Sequence, residues 1–113
     1  MKIAALIPAH NEARRIGWVV EHALSRVSAV YVVDDGSDDD TAARAGVAGA
    51  VVLVRQEKGG KGRALREGLD RCFVDGFDAV VCLDGDGQHL PEEIDGFVSA
   101  AREGSADLAI GMI

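Results

Sequence analysis

Short unbroken apolar runs alternate along the chain with longer stretches in which apolar residues recur every three to four positions. Residues 3–7 are uniformly apolar and are followed by Pro8, the pattern of a strand buried on both faces. From Glu12 the period changes. Ile16, Val19, Val20, Ala23, Leu24 and Val27 fall on one face of a helix of about four turns. Asn11 is its expected N-cap, and Glu12 lies near the positive end of the dipole. Arg14, Arg15, Glu21 and His22 then lie on or near the solvent side.

A second strand is expected at 30–33, closing on Asp34-Asp35-Gly36-Ser37. Ser37 then caps a short helix over 38–45, with Asp40 in the reciprocal capping-box position. Gly46 and Gly49 bracket the turn into a third strand at 50–54. Gly59-Gly60-Lys61-Gly62 leads into a helix with Ala64, Leu65, Leu69, Cys72 and Phe73 on its core side. Arg63, Arg66, Glu67, Asp70 and Arg71 occupy its other face. A fourth strand follows at 79–83, then a helix opened by Pro91 that carries Ile94, Phe97, Val98 and Ala101 inward, then a last strand at 108–110. Trp18 and Tyr31 are expected to be packing residues.

This alternation predicts an α/β fold with a mostly parallel sheet and right-handed crossovers. The 113 residues suit one domain, 1–113, without repeats or linkers. The chain stops soon after its last strand, so the expectation is a truncated or minimal domain with an exposed sheet edge, open to homo-oligomer formation.

Composition narrows the partners. A net charge of -7 with no basic stripe argues against nucleic acid, but a small phosphorylated ligand bridged by a cation remains compatible. The two cysteines, Cys72 and Cys82, sit in apolar patterns and read as buried thiols of a reducing compartment. The apolar run before Pro8 is too short for a signal peptide or a membrane span, so a cytoplasmic location is expected, with peripheral membrane contact left open.

Candidate chemistry concentrates where the fourth strand ends, at Leu83-Asp84-Gly85-Asp86-Gly87-Gln88-His89. Open α/β sheets bind ligands at the carboxyl ends of their strands. Two carboxylates spaced i, i+2 repel unless a cation lies between them, and a hard divalent ion is the natural occupant. Asp84 and Asp86 would be its ligands, with Gln88 a third oxygen and His89 either a ligand or a loop residue. A solvated acidic turn is the plainer alternative. A helix-loop-helix calcium site fails at its sixth position, where His89 stands in place of glycine. Asp34-Asp35-Gly36-Ser37 reads equally as a helix-capping turn or as a site for base or ribose. Gly59-Gly60-Lys61-Gly62 suits an anion at a helix start but is not a Walker A loop, and no GxGxxG follows the first strand. No nucleophile-histidine set or zinc-type spacing occurs.

Taken together, the segments resemble the amino-terminal half of the family 2 glycosyltransferases, within them the dolichyl-phosphate mannosyltransferase-like and polyprenyl-phosphate glycosyltransferase group. The blocks that carry the resemblance are Ile7-Pro8-Ala9-His10-Asn11-Glu12, then Val32-Val33-Asp34-Asp35-Gly36-Ser37 with Asp39 and Thr41, then Gly60-Lys61-Gly62 with Ala64, Leu65 and Gly68, then the acidic stretch from Leu83 to His89. The resemblance implies a three-layer, Rossmann-like GT-A domain that binds a nucleotide-diphosphate sugar of the GDP-mannose or UDP-glucose type. It implies nucleotide binding by Pro8, Ala9, Glu12, Asp34, Asp35, Lys61 and Asp84, and Mg²⁺ or Mn²⁺ binding by Asp84, Asp86 and Gln88. Sugar would pass with inversion to an acceptor such as a polyprenyl phosphate.

The sequence departs from the family at two places. His10 stands where an aromatic such as Tyr is common, and Gly111-Met112-Ile113 stands where Gly-Ser-Arg usually follows the last strand. The acceptor-binding half is not in this sequence, and no catalytic base is identified. Two other readings are kept: a non-catalytic nucleotide- or metal-binding module that needs a partner or a missing segment, and a nucleotidyltransferase. The second is disfavoured because Ala9-His10-Asn11-Glu12 replaces the glycine-rich basic loop such enzymes usually carry after the first strand.

Overall fold

The computed structural model describes residues 2–83, 91–103 and 109–112. Five strands and four helices alternate: β1 (Ile3–Ala9), α1 (Ile16–Leu24), β2 (Ala29–Asp35), α2 (Thr41–Val47), β3 (Val51–Arg55), α3 (Lys61–Val74), β4 (Ala79–Cys82), α4 (Pro91–Glu103) and β5 (Ala109–Met112). All neighbouring strands are parallel, in the order β3-β2-β1-β4-β5. The α/β expectation therefore holds, with every expected element present among the described residues.

Strand alternation sorts the side chains into two cores. Ala5, Ile7 and Ala9 of β1 pack with Val30, Val32 and Val81 against Ile16, Val20 and Ala23 of α1, Ala45 of α2 and Ile94 of α4. Ala4, Leu6, Tyr31, Val33, Val80 and Cys82 face the other way, against Ala64 and Cys72 of α3. This is why residues 3–7 have no polar member: each side of β1 is covered by helices, and all five are fully buried. Gly68 is where α3 comes closest to β1. A Cβ there would lie 2.2 Å from Leu6 Cδ1, so only glycine allows the approach.

Several local expectations need correction. Pro8 does not end β1, which continues to Ala9 in register with β2. Ser28 donates to the Ile3 carbonyl on the β2 side and Leu83 donates to the Leu6 carbonyl on the β4 side, so even-numbered residues of β1 face β4. Among the described residues the β1–β4 ladder reaches Leu6 and Leu83, and Pro8 lies beyond it, so none of the described ladder bonds is lost to its missing N–H.

Asn11 does not cap α1. The helix begins only at Ile16 and spans nine residues, and Asn11 takes φ 53° in the turn before it. Ser37 and Asp40 likewise form no capping box, because α2 begins at Thr41 without a side-chain cap. Trp18 is half exposed on the outer face of α1, stacked on His22 at 3.9 Å, rather than packed inside. Tyr31 is buried as expected, and its hydroxyl donates to Asp75 across 2.6 Å.

Candidate functional site

Strand order reverses about β1: β2 and β3 lie on one side of it, β4 on the other. Crevices of open α/β sheets form at such a switch, outside the carboxyl ends of the strands. There the backbone leaves β1 at Pro8-Ala9-His10, leaves β2 at Asp34-Asp35-Gly36, and enters α3 through Gly59-Gly60-Lys61.

Asp34 and Asp35 belong to β2 itself, and their side chains diverge to opposite faces of the sheet. Asp34 Oδ1 accepts the Ser37 N–H at 3.1 Å, closing the turn. Asp35 reaches under α3. Its Oδ1 accepts the Gly59 N–H at 2.8 Å, its Oδ2 accepts the Gly60 N–H at 2.9 Å, and Arg55 Nε lies 3.1 Å from Oδ1 as an ion pair, out of line for a hydrogen bond. Burial pushes its carboxyl up, but the two N–H bonds together with the Arg55 charge outweigh that and hold it below the ordinary carboxylate value. Gly36 makes room for this arrangement. At φ +70° it lets the loop after β3 pass so closely that a Cβ would meet the Lys58 nitrogen at 2.6 Å.

The His10 ring is fixed from both ends. Nδ1 donates to the Asp35 carbonyl at 2.8 Å, which sets the tautomer and leaves Nε2 to accept from Asn11 Nδ2 at 3.3 Å. A second set of bonds ties the loops after β1 and β2 together. The Asn11 N–H donates to Ser37 Oγ, the Asp38 N–H to Asn11 Oδ1, the Glu12 N–H to Thr41 Oγ1 and the Ala13 N–H to Asp39 Oδ2. Asp39 also accepts from the Thr41 hydroxyl and N–H, and the hydroxyl bond leads the contacts that hold its carboxyl below the usual range.

Among the described residues a cavity of about 150 Å³ opens between these segments, lined by Pro8, Ala9, His10, Asp35, Lys58 and Lys61. Four residues expected to bind nucleotide, Pro8, Ala9, Asp35 and Lys61, are thus brought to one place. Asp34 and Glu12 do not line it: Asp34 faces the α1 side of the sheet, and Glu12 is joined to α2 through Thr41. Asp84, Asp86, Gln88 and His89 lie outside the described residues, although Asp84 directly follows Leu83, whose N–H is bonded to β1 at 2.9 Å. Sequence reasoning marked His10 only as a departure from the family's usual aromatic, and missed Lys58 as a wall residue and Arg55 as the partner of Asp35. The parallel register of β2 and β3, which sets Asp35 opposite Arg55, would have been the signal.

Residues 4–113 match the family model for glycosyl transferase family 2. The chain belongs to that family. Among its relatives, a polyprenol monophosphomannose synthase of Mycolicibacterium smegmatis is 37% identical over 94% of this chain and 43% of its own length. An undecaprenyl-phosphate mannosyltransferase of Micrococcus luteus is 36% identical over 98% of this chain and 48% of its own length. The chain therefore spans less than half of either family 2 enzyme. Glucosyl-3-phosphoglycerate synthase of Mycobacterium tuberculosis superposes with a TM-score of 0.75 at 29% identity, over 92% of this chain and 42% of the synthase. That synthase has been crystallised with Mn²⁺, UDP-glucose and phosphoglyceric acid. The expected GT-A architecture is the one this family 2 chain shares with it.

Among the described residues no helix is long and apolar enough to cross a membrane, and no group of three or more His, Cys, Asp and Glu side chains is arranged to hold a metal ion.

Proposed function

We propose that this chain is the donor-binding part of an inverting, metal-dependent glycosyltransferase that takes sugar from a nucleotide-diphosphate sugar and passes it to a lipid phosphate such as a polyprenyl phosphate. The observation that carries the reading is the cavity at the switch point, where Pro8, Ala9, Asp35 and Lys61 meet. The family match and the names of the relatives supply the reaction class.

Each group in the cavity has a role its chemistry suits. Of about four acceptor positions on the Asp35 carboxylate, Gly59 and Gly60 take two while Arg55 pairs with it by charge alone, which leaves acceptor capacity for a base N–H. Asp34 and Glu12 support the loops around it. Lys61, at the start of α3, offers a cation to the diphosphate beside the positive end of the helix dipole. Asp84, Asp86 and Gln88, which lie outside the described residues, would offer only oxygen donors, the chemistry that Mg²⁺ or Mn²⁺ takes, and Asp84 would also serve the nucleotide. When bound, the ion supplies Lewis-acid neutralisation of charge on the departing diphosphate.

The test is calorimetry with GDP-mannose and UDP-glucose, with and without Mn²⁺. Metal-dependent binding of one of them, lost in Asp86→Ala without loss of fold, is expected; binding of neither sinks the reading. The outer edges of β3 and β5 are unpaired among the described residues, which supports self-association through a sheet edge. Light scattering that stays monomeric at high concentration would contradict that part.

A further inference from the structure

On the far side of the Asp35–Arg55 pair lies a second cleft of about 300 Å³, lined by Arg55, Arg63, Arg66 and Glu67. Six of the chain's twelve Lys and Arg fall between positions 55 and 71 (Arg55, Lys58, Lys61, Arg63, Arg66 and Arg71), against three acids, Glu57, Glu67 and Asp70. A chain of net charge -7 thus carries a locally cationic segment, and three of its guanidinium groups, those of Arg55, Arg63 and Arg66, line this cleft.

The placement runs against helix physics. The first turns of an α-helix favour Asp and Glu and disfavour cations, because unpaired N–H groups and the dipole make that end positive. α3 is a fourteen-residue helix with no acid in its first turn, and Arg63 and Arg66 stand in its opening two turns. Glu67 does not balance them, since it is engaged by Arg55 Nη1 at 2.5 Å, and Arg55 itself is pinned between Glu67 and Asp35. Arg63 and Arg66 have no hydrogen-bond or ion-pair partner among the described residues, and both are exposed. Gly59 adds a geometric constraint: a Cβ there would sit 2.3 Å from Arg55 Nη2 and 3.2 Å from Arg63 Cδ, so glycine lets both arginines close over the loop.

The charges of Arg63 and Arg66, unpaired among the described residues at the end of a helix that is already positive, are a local cost with a direct remedy in a bound anion. Two free planar guanidinium forks flanking a recess are the geometry that holds phosphoryl oxygens in pairs. We propose that this cleft binds a phosphoryl group, as a site separate from the donor cavity on the other side of Asp35. The ligand class is a phosphate mono- or diester, carried either by a soluble molecule or by a lipid headgroup.

Inorganic phosphate is the first probe. In ¹H–¹⁵N spectra the Arg63 and Arg66 Hε signals are expected to shift with it, and the melting temperature to rise above that in KCl of matched ionic strength. Each arginine replaced should weaken binding about tenfold, so the double variant Arg63→Gln/Arg66→Gln should lose it while binding of a nucleotide sugar is unchanged. Sedimentation with vesicles of phosphatidylcholine, with and without phosphatidylglycerol, separates the sources. Capture by the anionic vesicles alone, lost in the double variant, assigns a lipid headgroup; phosphate binding without capture assigns a soluble ester. Absence of both responses, or phosphate binding that survives in the double variant, overturns the proposal. Because both arginines lie outside the donor cavity, a failure here leaves the donor reading intact, and the reverse.

Discussion

Asp35 and Arg55 stand opposite each other at the last paired position of β2 and β3, their charged groups 3.1 Å apart with almost no exposure of the carboxylate. The pair joins two strand ends to the loop that opens α3, since Asp35 also holds the N–H groups of Gly59 and Gly60. Removing Arg55 leaves a buried charge that still keeps two hydrogen bonds. Arg55→Met should therefore cost about 2–3 kcal/mol, below the full penalty of an orphaned buried ion. Asp35→Asn in the same chain should recover about 1 kcal/mol of it. Urea denaturation of the four proteins in the cycle checks this, and additive losses would show that the two groups are not coupled.

Acid should destabilise the fold through Asp35, Asp39 and Asp75. Asp35 is lowered against its burial by Gly59, Gly60 and Arg55; Asp39 by the Thr41 hydroxyl; Asp75 by the Tyr31 hydroxyl and then Arg71. A carboxyl lowered in the folded state contributes stability that is present above its unfolded value, near about 4, and that fades as pH falls through the folded value. Unfolding free energy should be level from neutral pH to about 5 and fall steeply below about 4. Asp35→Asn should flatten that fall, and an unchanged slope in the variant would assign the proton uptake elsewhere.

Both thiols should be silent in the folded protein. Burial, with Cys82 and Asp75 adding negative surroundings, pushes Cys72 up to about 12, and burial pushes Cys82 up to about 11. A dithiobisnitrobenzoate assay at mildly alkaline pH should find no reactive thiol under native conditions and two in denaturant. Stoichiometric reaction of either without denaturant would contradict the packing of α3 on the sheet.

Gly68→Ala tests the contact between α3 and β1. The added carbon would overlap the Leu6 side chain, which is fully buried and has little room to move. A loss of about 1–3 kcal/mol is expected despite the better helix propensity of alanine. Leu6→Val in the same chain should return part of it. A neutral or stabilising Gly68→Ala would mean that the helix stands further off than described.

Regular elements were legible in the sequence because their signal is local. The unbroken run at 3–7 and the periodicity from Ile16 to Ala23 each report burial directly, and both pack as that pattern implies. What the chain could not disclose locally was the competition for polar groups. Asn11 and Ser37 both look like caps, yet they bond each other's loops across 26 positions and leave α1 and α2 uncapped by side chains. Trp18 misled for a related reason: it sits between two core positions, and stacking on His22 covers part of its ring without burying it. At the site, Pro8, Ala9, Asp35 and Lys61 were named through the family resemblance, whereas Lys58 and Arg55 required knowing which loop crosses which strand.

The pairing of Ile3 with Ala79 joins two strands that are far apart in the chain. Aligning β1 with β4 requires closing a long loop before any contact between them is gained, whereas the walls of the cavity come from β1, β2 and the loop after β3. β1 and β2 can join earlier through α1, but only the docking of β4 brings the chain that runs on to Asp84 alongside β1. A ligand that bridges both strands would then bind only the completed sheet, and its affinity would register the integrity of the whole domain rather than of the segments that touch it.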